Sequence, residues 1–304
     1  MSSSEADGQR VSRGDAPGVA PFQAKPRQCA MRLRTSVRRP TTSGPPCLRT
    51  VEEGVGSPLV LLPGLGGTTR YWEGHLELLT CRARVVRLDL LGFGDSPKPW
   101  HDYTVGRHVA SLAAATAHLP AMTLVGHSLG AALALMLAAR YPTRVTHLVL
   151  LGLPYFGNRD QAYRYFHAAP THAWWATNLT LMALTCLLTR RLLGRLLPYV
   201  VTHVPRAVAE DVVQHTWCSS TSSLWNVLYD HDLCEDVAAL PDTLPVTCIH
   251  GDGDVMAPIA HVHALAAGRS SWHVVTLPEV DHHPWLRRPA VCAMHMLRSV
   301  SPDA

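Results

Sequence analysis

Several features that would assign a sequence to a class of protein are missing here. With 27 basic and 23 acidic residues the formal net charge is only +4, and no basic stripe is interleaved with aromatic residues. We therefore expect no nucleic-acid partner. The eight cysteines are widely spread without a C-x-x-C pair, and several lie in apolar segments where cysteine acts as a small hydrophobic residue. This pattern favours a reducing compartment.

Apolar segments suited to secretion or membrane insertion are also missing. Residues 1–21 are polar and rich in glycine, so no secretory hydrophobic region is evident. The apolar stretch 174–188 is diluted by Asn178 and by threonines, and Arg190 ends it short of the ~18 residues that a membrane span needs. We expect a cytoplasmic protein without stable membrane insertion, and a helix lying over the core at this stretch.

Patterns for nucleotides and metals are absent as well. The glycine-rich run 64–67 lacks the lysine and the spacing of a phosphate loop, and it lacks the G-x-G-x-x-G pattern of a dinucleotide site. Two short clusters, Asp230-His231-Asp232 and His261-x-His263, have no further partner at metal-ligand spacing. In a chain with 18 histidines such clusters are expected by chance. The sequence therefore predicts no cofactor and no metal.

What the chain does contain is enough apolar sequence, 47% of 304 residues, to bury a large core. Residues 1–48 are rich in Ser, Gly, Pro and Arg without sustained periodicity, which predicts a disordered basic tail. Strands are predicted beyond it at 58–62, 84–90, 122–125, 146–151, 246–250 and 272–277. Because most are separated by helix-length segments, they predict a mostly parallel sheet in an α/β architecture.

One turn in this pattern carries a chemical signal. Ser128 lies between Gly126 and Gly130, directly after the strand at 122–125 and before helix-forming sequence at 131–140. Glycine on both sides is typical of a strained strand-to-helix turn that exposes a nucleophile, because side chains there would collide where strand and helix converge. The alternative is a glycine-rich turn with an incidental serine.

A serine hydroxyl needs a base to remove its proton and a third group to orient that base. Two loops that follow later strands contain such groups. Asp252 and Asp254 lie in one, and His282 and His283 lie in the other. Parallel sheets place their sites at the carboxyl ends of the strands, where both loops are expected.

Over residues 50–300 the chain resembles the α/β-hydrolase family, in its cap-bearing branch with Ser, Asp and His in that order. The motifs that carry the resemblance are the loop 61–67, the D-x-x-G-x-G-x-S segment 89–96, Gly126-x-Ser128-x-Gly130, Gly251-x-x-Asp254 and His282-x-Pro284. The resemblance implies a mostly parallel central sheet flanked by helices, with a helical cap inserted after the sixth strand. The core would comprise 49–153 and 241–304, and the cap 154–240.

The resemblance also implies roles for individual residues. Ser128 would be the nucleophile, His282 the general base and then acid, and Asp254 the carboxylate that holds the imidazole. The backbone N–H groups of Leu65 and Leu129 would form the oxyanion hole, which stabilises charge present only in the transition state.

Neighbouring residues are alternatives for two of these roles. Asp252 can replace Asp254, although the family spacing places the acid three residues after Gly251. His283 is the alternative to His282, and we interpret it as part of the pocket wall.

The chain departs from the family pattern at two positions. Pro63 stands where the family commonly has histidine, and Asp281 stands where glycine is usual before the catalytic histidine. The first removes a side chain that helps to hold the oxyanion loop. A carboxylate at 281 would raise the basicity of His282 if it faced the ring, but we expect it to point into solvent.

These assignments predict a serine hydrolase that cleaves an ester-like carbonyl in a small, largely apolar substrate. We expect the pocket to include His127, His283, Trp174 and Trp175. Hydrolysis of a carbon–carbon bond, thioester cleavage and acyl transfer use the same triad and remain alternatives. A small-ligand-binding protein without catalysis is the alternative of another class, since fold does not determine function. The sequence leaves the oligomeric state open.

Overall fold

The computed structural model describes residues 45–100, 103–168, 184, 188, 199, 204–298 and 300. A seven-stranded sheet forms the centre of this part of the chain. Its strands are β1 (Thr50–Glu53), β2 (Pro58–Leu62), β3 (Arg84–Leu88), β4 (Met122–His127), β5 (Val145–Leu151), β6 (Val246–Gly251) and β7 (Trp272–Leu277). They lie in the order β1-β3-β2-β4-β5-β6-β7, and only β1 pairs with its neighbour in the antiparallel direction.

Helices connect the strands and cover the sheet. Those described are α1 (Glu77–Thr80), α2 (Val105–Ala115), α3 (Leu129–Arg140), α4 (Arg159–Ala168), α5 (Arg206–Asp211), α6 (Trp217–Ser223), α7 (Leu233–Ala239), α8 (Ile259–Ala266), α9 (Pro284–Arg287) and α10 (Pro289–Met296). Two 3₁₀ turns lie at Thr69–Trp72 and Pro142–Arg144, and a π-helical turn, Leu224–Tyr229, directly follows α6.

The core lies on both faces of the sheet. Strands β2 and β4 are buried along their whole length, as expected for parallel strands with helices on either side. Helix α3 is apolar on all faces and buried from Leu129 to Ala138, which is the pattern of a helix enclosed by other elements. The start of α3 is therefore fixed by packing on every side.

The α/β-hydrolase fold predicted from the sequence is confirmed, and all six predicted parallel strands match to within two residues at either end. The largest differences are at the ends of β3, which stops at Leu88 rather than at residue 90, and of β4, which continues to His127 rather than stopping at residue 125. The first strand, β1, was not predicted. Leu48 was predicted to be the last residue of a disordered tail, but it is buried in the core; residues 1–44 lie outside the described part of the chain.

Between β5 and β6 the chain leaves the sheet, and we call residues 152–245 the insertion. The resemblance placed the insertion after the sixth strand, whereas β5, the strand that precedes it, is the fifth of the seven described strands. The described residues of the insertion form helices α4 to α7 and no strand. No helix in the described part of the chain is long and apolar enough to cross a membrane.

Candidate active site

The turn at Ser128 has the strained geometry that its flanking glycines predicted. Ser128 has φ +52° and ψ −120°, a conformation that side chains disfavour. A Cβ at Gly126 would lie 2.2 Å from the carbonyl oxygen of Gly130, and a Cβ at Gly130 would lie 2.4 Å from that of Pro63. Only glycine fits at either position, so the end of β4 and the start of α3 hold the serine between them.

The structure brings together the three side chains expected from separate loops. The imidazole Nε2 of His282 lies 2.8 Å from the Ser128 Oγ, and its Nδ1 lies 2.7 Å from the Asp254 Oδ2. A carboxylate accepts hydrogen bonds, so the ring proton is on Nδ1 and Nε2 is left to accept the hydroxyl proton. The arrangement can therefore transfer the serine proton to the imidazole.

The Asp254 carboxylate is held on both of its oxygens. Its Oδ1 accepts the backbone N–H groups of Met256 and Ala257, each at 2.9 Å, and its side chain is fully buried. His250 lies behind it, with Nε2 2.6 Å from the Ala257 carbonyl and 3.3 Å from the Asp254 Oδ2. Burial raises the pKa of Asp254, but the hydrogen bonds from His250 and His282 outweigh burial and lower it well below its usual range. The group is therefore an anion.

The alternative acid and the neighbouring carboxylate have other partners. Asp252 is exposed and accepts the backbone N–H of Glu279 at 2.7 Å. Asp281 forms an ion pair with Arg287, whose Nη2 lies 2.6 Å from its Oδ2. Burial has the largest single effect and raises the pKa of Asp281, but the hydrogen bonds from Arg287 and from the His283 N–H, with the charge of Arg287, together outweigh it, so the pKa is lowered. Neither carboxylate forms a hydrogen bond with the His282 ring among the described contacts.

His127 supports the loop that carries His282. Its Nε2 donates a hydrogen bond to the backbone carbonyl of His282 at 2.7 Å, and its ring stacks on Tyr71 with centroids 4.6 Å apart. Burial and the neighbouring rings of His282 and His283 lower the pKa of His127 well below its usual range, so the ring is neutral. His127 was predicted only as part of the pocket, and its contact with the His282 loop was not predicted.

The two N–H groups expected to form an oxyanion hole are free of backbone partners among the described residues. Leu129 is the first residue of α3, where a helix leaves its N–H groups without intrahelical acceptors. Leu65 lies in the loop after β2, in a turn closed by the Gly67 N–H and the Gly64 carbonyl at 3.0 Å. A Cβ at Gly64 would lie 3.1 Å from the Ser128 Cβ, so the backbone of this loop lies against the serine.

A cavity of about 230 Å³ opens beside Ser128. One side, which we call the sheet wall, is lined by Gly64, Leu65, His127, Ser128, His282 and His283. The other side, the insertion wall, consists of Pro154, Phe156, Phe166, Leu224, Leu228 and Tyr229, and Met256 completes the lining. The structure thus places His127 and His283 at the cavity. Trp174 and Trp175, also predicted there, lie outside the described residues.

No group of three or more His, Cys, Asp or Glu side chains in the described residues is placed to hold a metal ion. The described lining of the cavity also contains no lysine, arginine, aspartate or glutamate side chain. A charged substrate would therefore lose its water there without gaining a counter-ion from these residues.

Comparison with known families agrees with this geometry. A family model described as alpha/beta hydrolase fold matches residues 57–284, which is most of the chain. The chain belongs to the α/β-hydrolase family. The match spans the loop after β2, the Ser128 turn and the loops that carry Asp254 and His282.

Individual proteins resemble this chain only at low sequence identity or over a short part of its length. An uncharacterised protein of Mycobacterium tuberculosis is 25% identical over 252 residues, covering 78% of this chain and 73% of the relative. A (lyso)-N-acylphosphatidylethanolamine lipase of Mus musculus is 38% identical over 101 residues, but this covers only 31% of the chain and 30% of the lipase. A solved esterase from Thermogutta terrifontis is 18% identical with a TM-score of 0.67, over 88% of this chain and 97% of that one, which shows the shared fold alone.

Proposed function

We propose that the protein is a serine hydrolase that cleaves an ester-like carbonyl of a small, largely apolar substrate through an acyl-enzyme. The observation that carries this proposal is the continuous chain of hydrogen bonds from the Ser128 hydroxyl through His282 to the buried Asp254 carboxylate. Family membership supports a hydrolase, and the apolar insertion wall beside Ser128 supports an apolar substrate.

In the first half of the reaction, the Ser128 Oγ attacks the carbonyl carbon while its proton passes to the His282 Nε2. The carbonyl electron pair moves onto oxygen, and the resulting anion accepts hydrogen bonds from the N–H groups of Leu65 and Leu129. In related acyl-transfer enzymes one such donor contributes roughly 3–4 kcal/mol to lowering the barrier. The intermediate then expels the alcohol, which takes the proton from His282.

In the second half, water attacks the acyl-enzyme in the same way. His282 takes a proton from the water, and the oxygen bound to Ser128 leaves with that proton returned to it. The acid is released and the serine is restored. Asp254 remains ionised throughout, since its role is to hold the imidazole and to stabilise the positive charge that forms on it.

The direct test compares the wild type with Ser128→Ala, using a p-nitrophenyl ester and a fluorophosphonate probe that reacts with activated serines. We expect both turnover and labelling to disappear in the variant. Ser111→Ala is the matched control, because the Ser111 hydroxyl donates its hydrogen bond to the Arg107 carbonyl on α2 and not to a histidine. This control should retain both activities.

Turnover that survives in pure Ser128→Ala would contradict the assignment of the nucleophile. A wild-type protein that binds a small apolar ligand tightly without hydrolysing any ester, and binds it equally well as Ser128→Ala, would instead be a binding protein on this fold.

A further inference from the structure

Tyr229 ends the π-helical turn and contributes the only hydroxyl group on the insertion wall as described. Its side chain is 3% exposed, and its ring packs among those of Phe156, Phe166 and Trp225 with centroids 5.4–6.2 Å apart. None of its described ring contacts is with a histidine of the sheet wall. The phenol therefore lies in the aromatic packing of the insertion wall, in the same cavity as Ser128.

The π-helical turn explains why this residue reaches the cavity. Residues four apart share a face of a helix, and the i→i+5 hydrogen bonding of a π-helix adds the residue five positions along to that face. Leu224, Leu228 and Tyr229, which have these spacings, all line the cavity. A regular α-helix would rotate Tyr229 away from Leu224 by more than a quarter of a turn.

The hydroxyl group of Tyr229 has no hydrogen-bond partner among the described residues, and it is not one of the fully enclosed polar atoms. Tyr165, in the same aromatic cluster, instead donates its hydroxyl hydrogen bond to the Val255 carbonyl at 2.7 Å. Burial alone raises the pKa of Tyr229, so the phenol keeps its proton at every working pH. The hydroxyl hydrogen is therefore not committed to an acceptor in the described residues, and an acceptor on a bound molecule would replace the solvent that this donor can reach.

We propose that the Tyr229 hydroxyl determines substrate specificity by donating a hydrogen bond to an oxygen on the apolar group of the substrate. The substrate class is then a neutral ester whose acyl or alcohol part is largely hydrocarbon but carries one ether, keto or hydroxyl oxygen. The described lining contains no charged lysine, arginine, aspartate or glutamate side chain, which favours a neutral group over a carboxylate there. This inference rests on the proposed function, since it assumes that the substrate reacts at Ser128.

The test compares kcat/KM for two series of esters in the wild type and in Tyr229→Phe. The first contains p-nitrophenyl hexanoate and its analogues with one chain methylene replaced by an ether oxygen, at each position in turn. The second contains hexyl acetate and its analogues with the oxygen in the alcohol. For each oxygen position and each protein, kcat/KM of the ether analogue is divided by kcat/KM of the parent ester. The ratio for the wild type is then divided by the ratio for Tyr229→Phe, which cancels the intrinsic reactivity of the ester.

At one oxygen position we expect this ratio to be about 3- to 10-fold larger in the wild type than in Tyr229→Phe, which is the range of one neutral hydrogen bond. Active-site titration with the fluorophosphonate probe sets the concentration of reactive protein in each case. Tyr165→Phe is the matched control, since it removes a hydroxyl from the same aromatic cluster that is already bonded within the protein. Its ratios should equal those of the wild type.

Equal ratios in the wild type and Tyr229→Phe at every oxygen position would overturn the inference while leaving the hydrolase assignment intact. The same holds if Tyr165→Phe changes the ratios as much as Tyr229→Phe, because the effect would then be one of packing. A wild-type protein that neither hydrolyses these esters nor reacts with the probe would overturn the proposed function, and this inference with it.

Discussion

The two walls of the cavity are built in different ways. The sheet wall is tied together by hydrogen bonds and by backbone contacts that leave no space for a Cβ, as at Gly130. The insertion wall is held mainly by aromatic and aliphatic packing around Phe156, Phe166 and Tyr229. Hydrogen bonds and backbone contacts hold the atoms of the sheet wall at the distances that proton transfer needs. The packed side chains of the insertion wall can adjust to the shape of a bound molecule. If the protein is the hydrolase that we propose, the sheet wall determines its reactivity and the insertion wall determines which substrate binds.

The largest expected effect comes from Asp254→Asn. The Asp254 Oδ1 accepts two backbone N–H groups, so an asparagine keeps its oxygen there and turns its NH₂ toward the His282 Nδ1. The imidazole then carries its proton on Nε2 and no longer accepts the one from Ser128. We expect kcat to fall about 10⁴-fold, the size of this change in other Ser-His-Asp enzymes.

Asp252→Asn is the control for this prediction, because Asp252 is exposed in the same loop. It should keep kcat within about twofold. If Asp254→Asn retained more than a tenth of the wild-type kcat, the sheet wall would not control reactivity in the way we describe.

The next effect tests the backbone contact between the Ser128 turn and the end of β2. In Gly130→Ala the added methyl group would lie 2.4 Å from the Pro63 carbonyl oxygen and 2.5 Å from that of Leu62. Backbone atoms at both sites cannot rotate away, so we expect the free energy of unfolding to fall by about 3 kcal/mol. Chemical denaturation measures this change.

Gly74→Ala is the matched substitution, since a Cβ there meets nothing within 4 Å. We expect it to change stability by no more than about 0.5 kcal/mol. Similar losses in both variants would mean that the contact at Gly130 is not special.

A third effect concerns a hydrogen-bonded junction between the insertion and the core. Asp211, at the end of α5, is buried and accepts hydrogen bonds from the Thr68 hydroxyl, the Arg70 guanidinium at 2.8 Å and the Gln214 amide at 2.8 Å. In Asp211→Asn the oxygen can still accept from Arg70 and Gln214, but the NH₂ group replaces the oxygen that accepts from Thr68, and the negative charge that pairs with Arg70 is lost. We expect a loss of about 2 kcal/mol in the free energy of unfolding.

Glu210→Gln provides the comparison, because Glu210 is the neighbouring acid and also pairs with Arg70, but is 38% exposed. Exposed ion pairs contribute about 0–1 kcal/mol, so this variant should unfold almost as the wild type does. Should the two variants lose stability equally, the burial of Asp211 would have no consequence.

The smallest expected effect tests whether the insertion wall determines substrate preference. Leu228 is half-buried and lines the cavity, so Leu228→Ala removes apolar surface from one end of it. We expect kcat/KM for p-nitrophenyl hexanoate, relative to the acetate ester, to fall about 10-fold. Leu78→Ala removes a half-buried leucine on α1 that does not line the cavity, and its ratio should not change. A preference that is unchanged in Leu228→Ala would contradict the apolar-pocket interpretation.

The sequence was sufficient for the sheet and for the turn at Ser128, because both depend on local patterns. Apolar runs identified the buried strands, and the glycines around Ser128 identified the turn. Strand β1 was missed because it is a sheet-edge strand whose sequence, Thr50-Val-Glu-Glu, buries only Val51. A strand with one buried residue has no apolar run by which to recognise it.

Contacts between distant segments were the part that the sequence did not predict. His250 lies behind Asp254, and His127 holds the His282 loop, yet each is one of 18 histidines with no local pattern of its own. Tyr229 was missed for a similar reason, since a single tyrosine in a helical segment is more often a core residue. Asp281 was expected to face solvent, and its pairing with Arg287 depends on how the chain turns into α9.

The close approach of the Pro63 carbonyl to Gly130 has a consequence for how molecules enter. The loop after β2 and the first turn of α3 are in backbone contact, so a shift of one of them requires a shift of the other. The insertion wall has no such backbone constraint in the contacts described here. If the protein is the hydrolase that we propose, we therefore expect a substrate to be admitted by rearrangement of the aromatic side chains of that wall, while the Ser128 turn keeps its position.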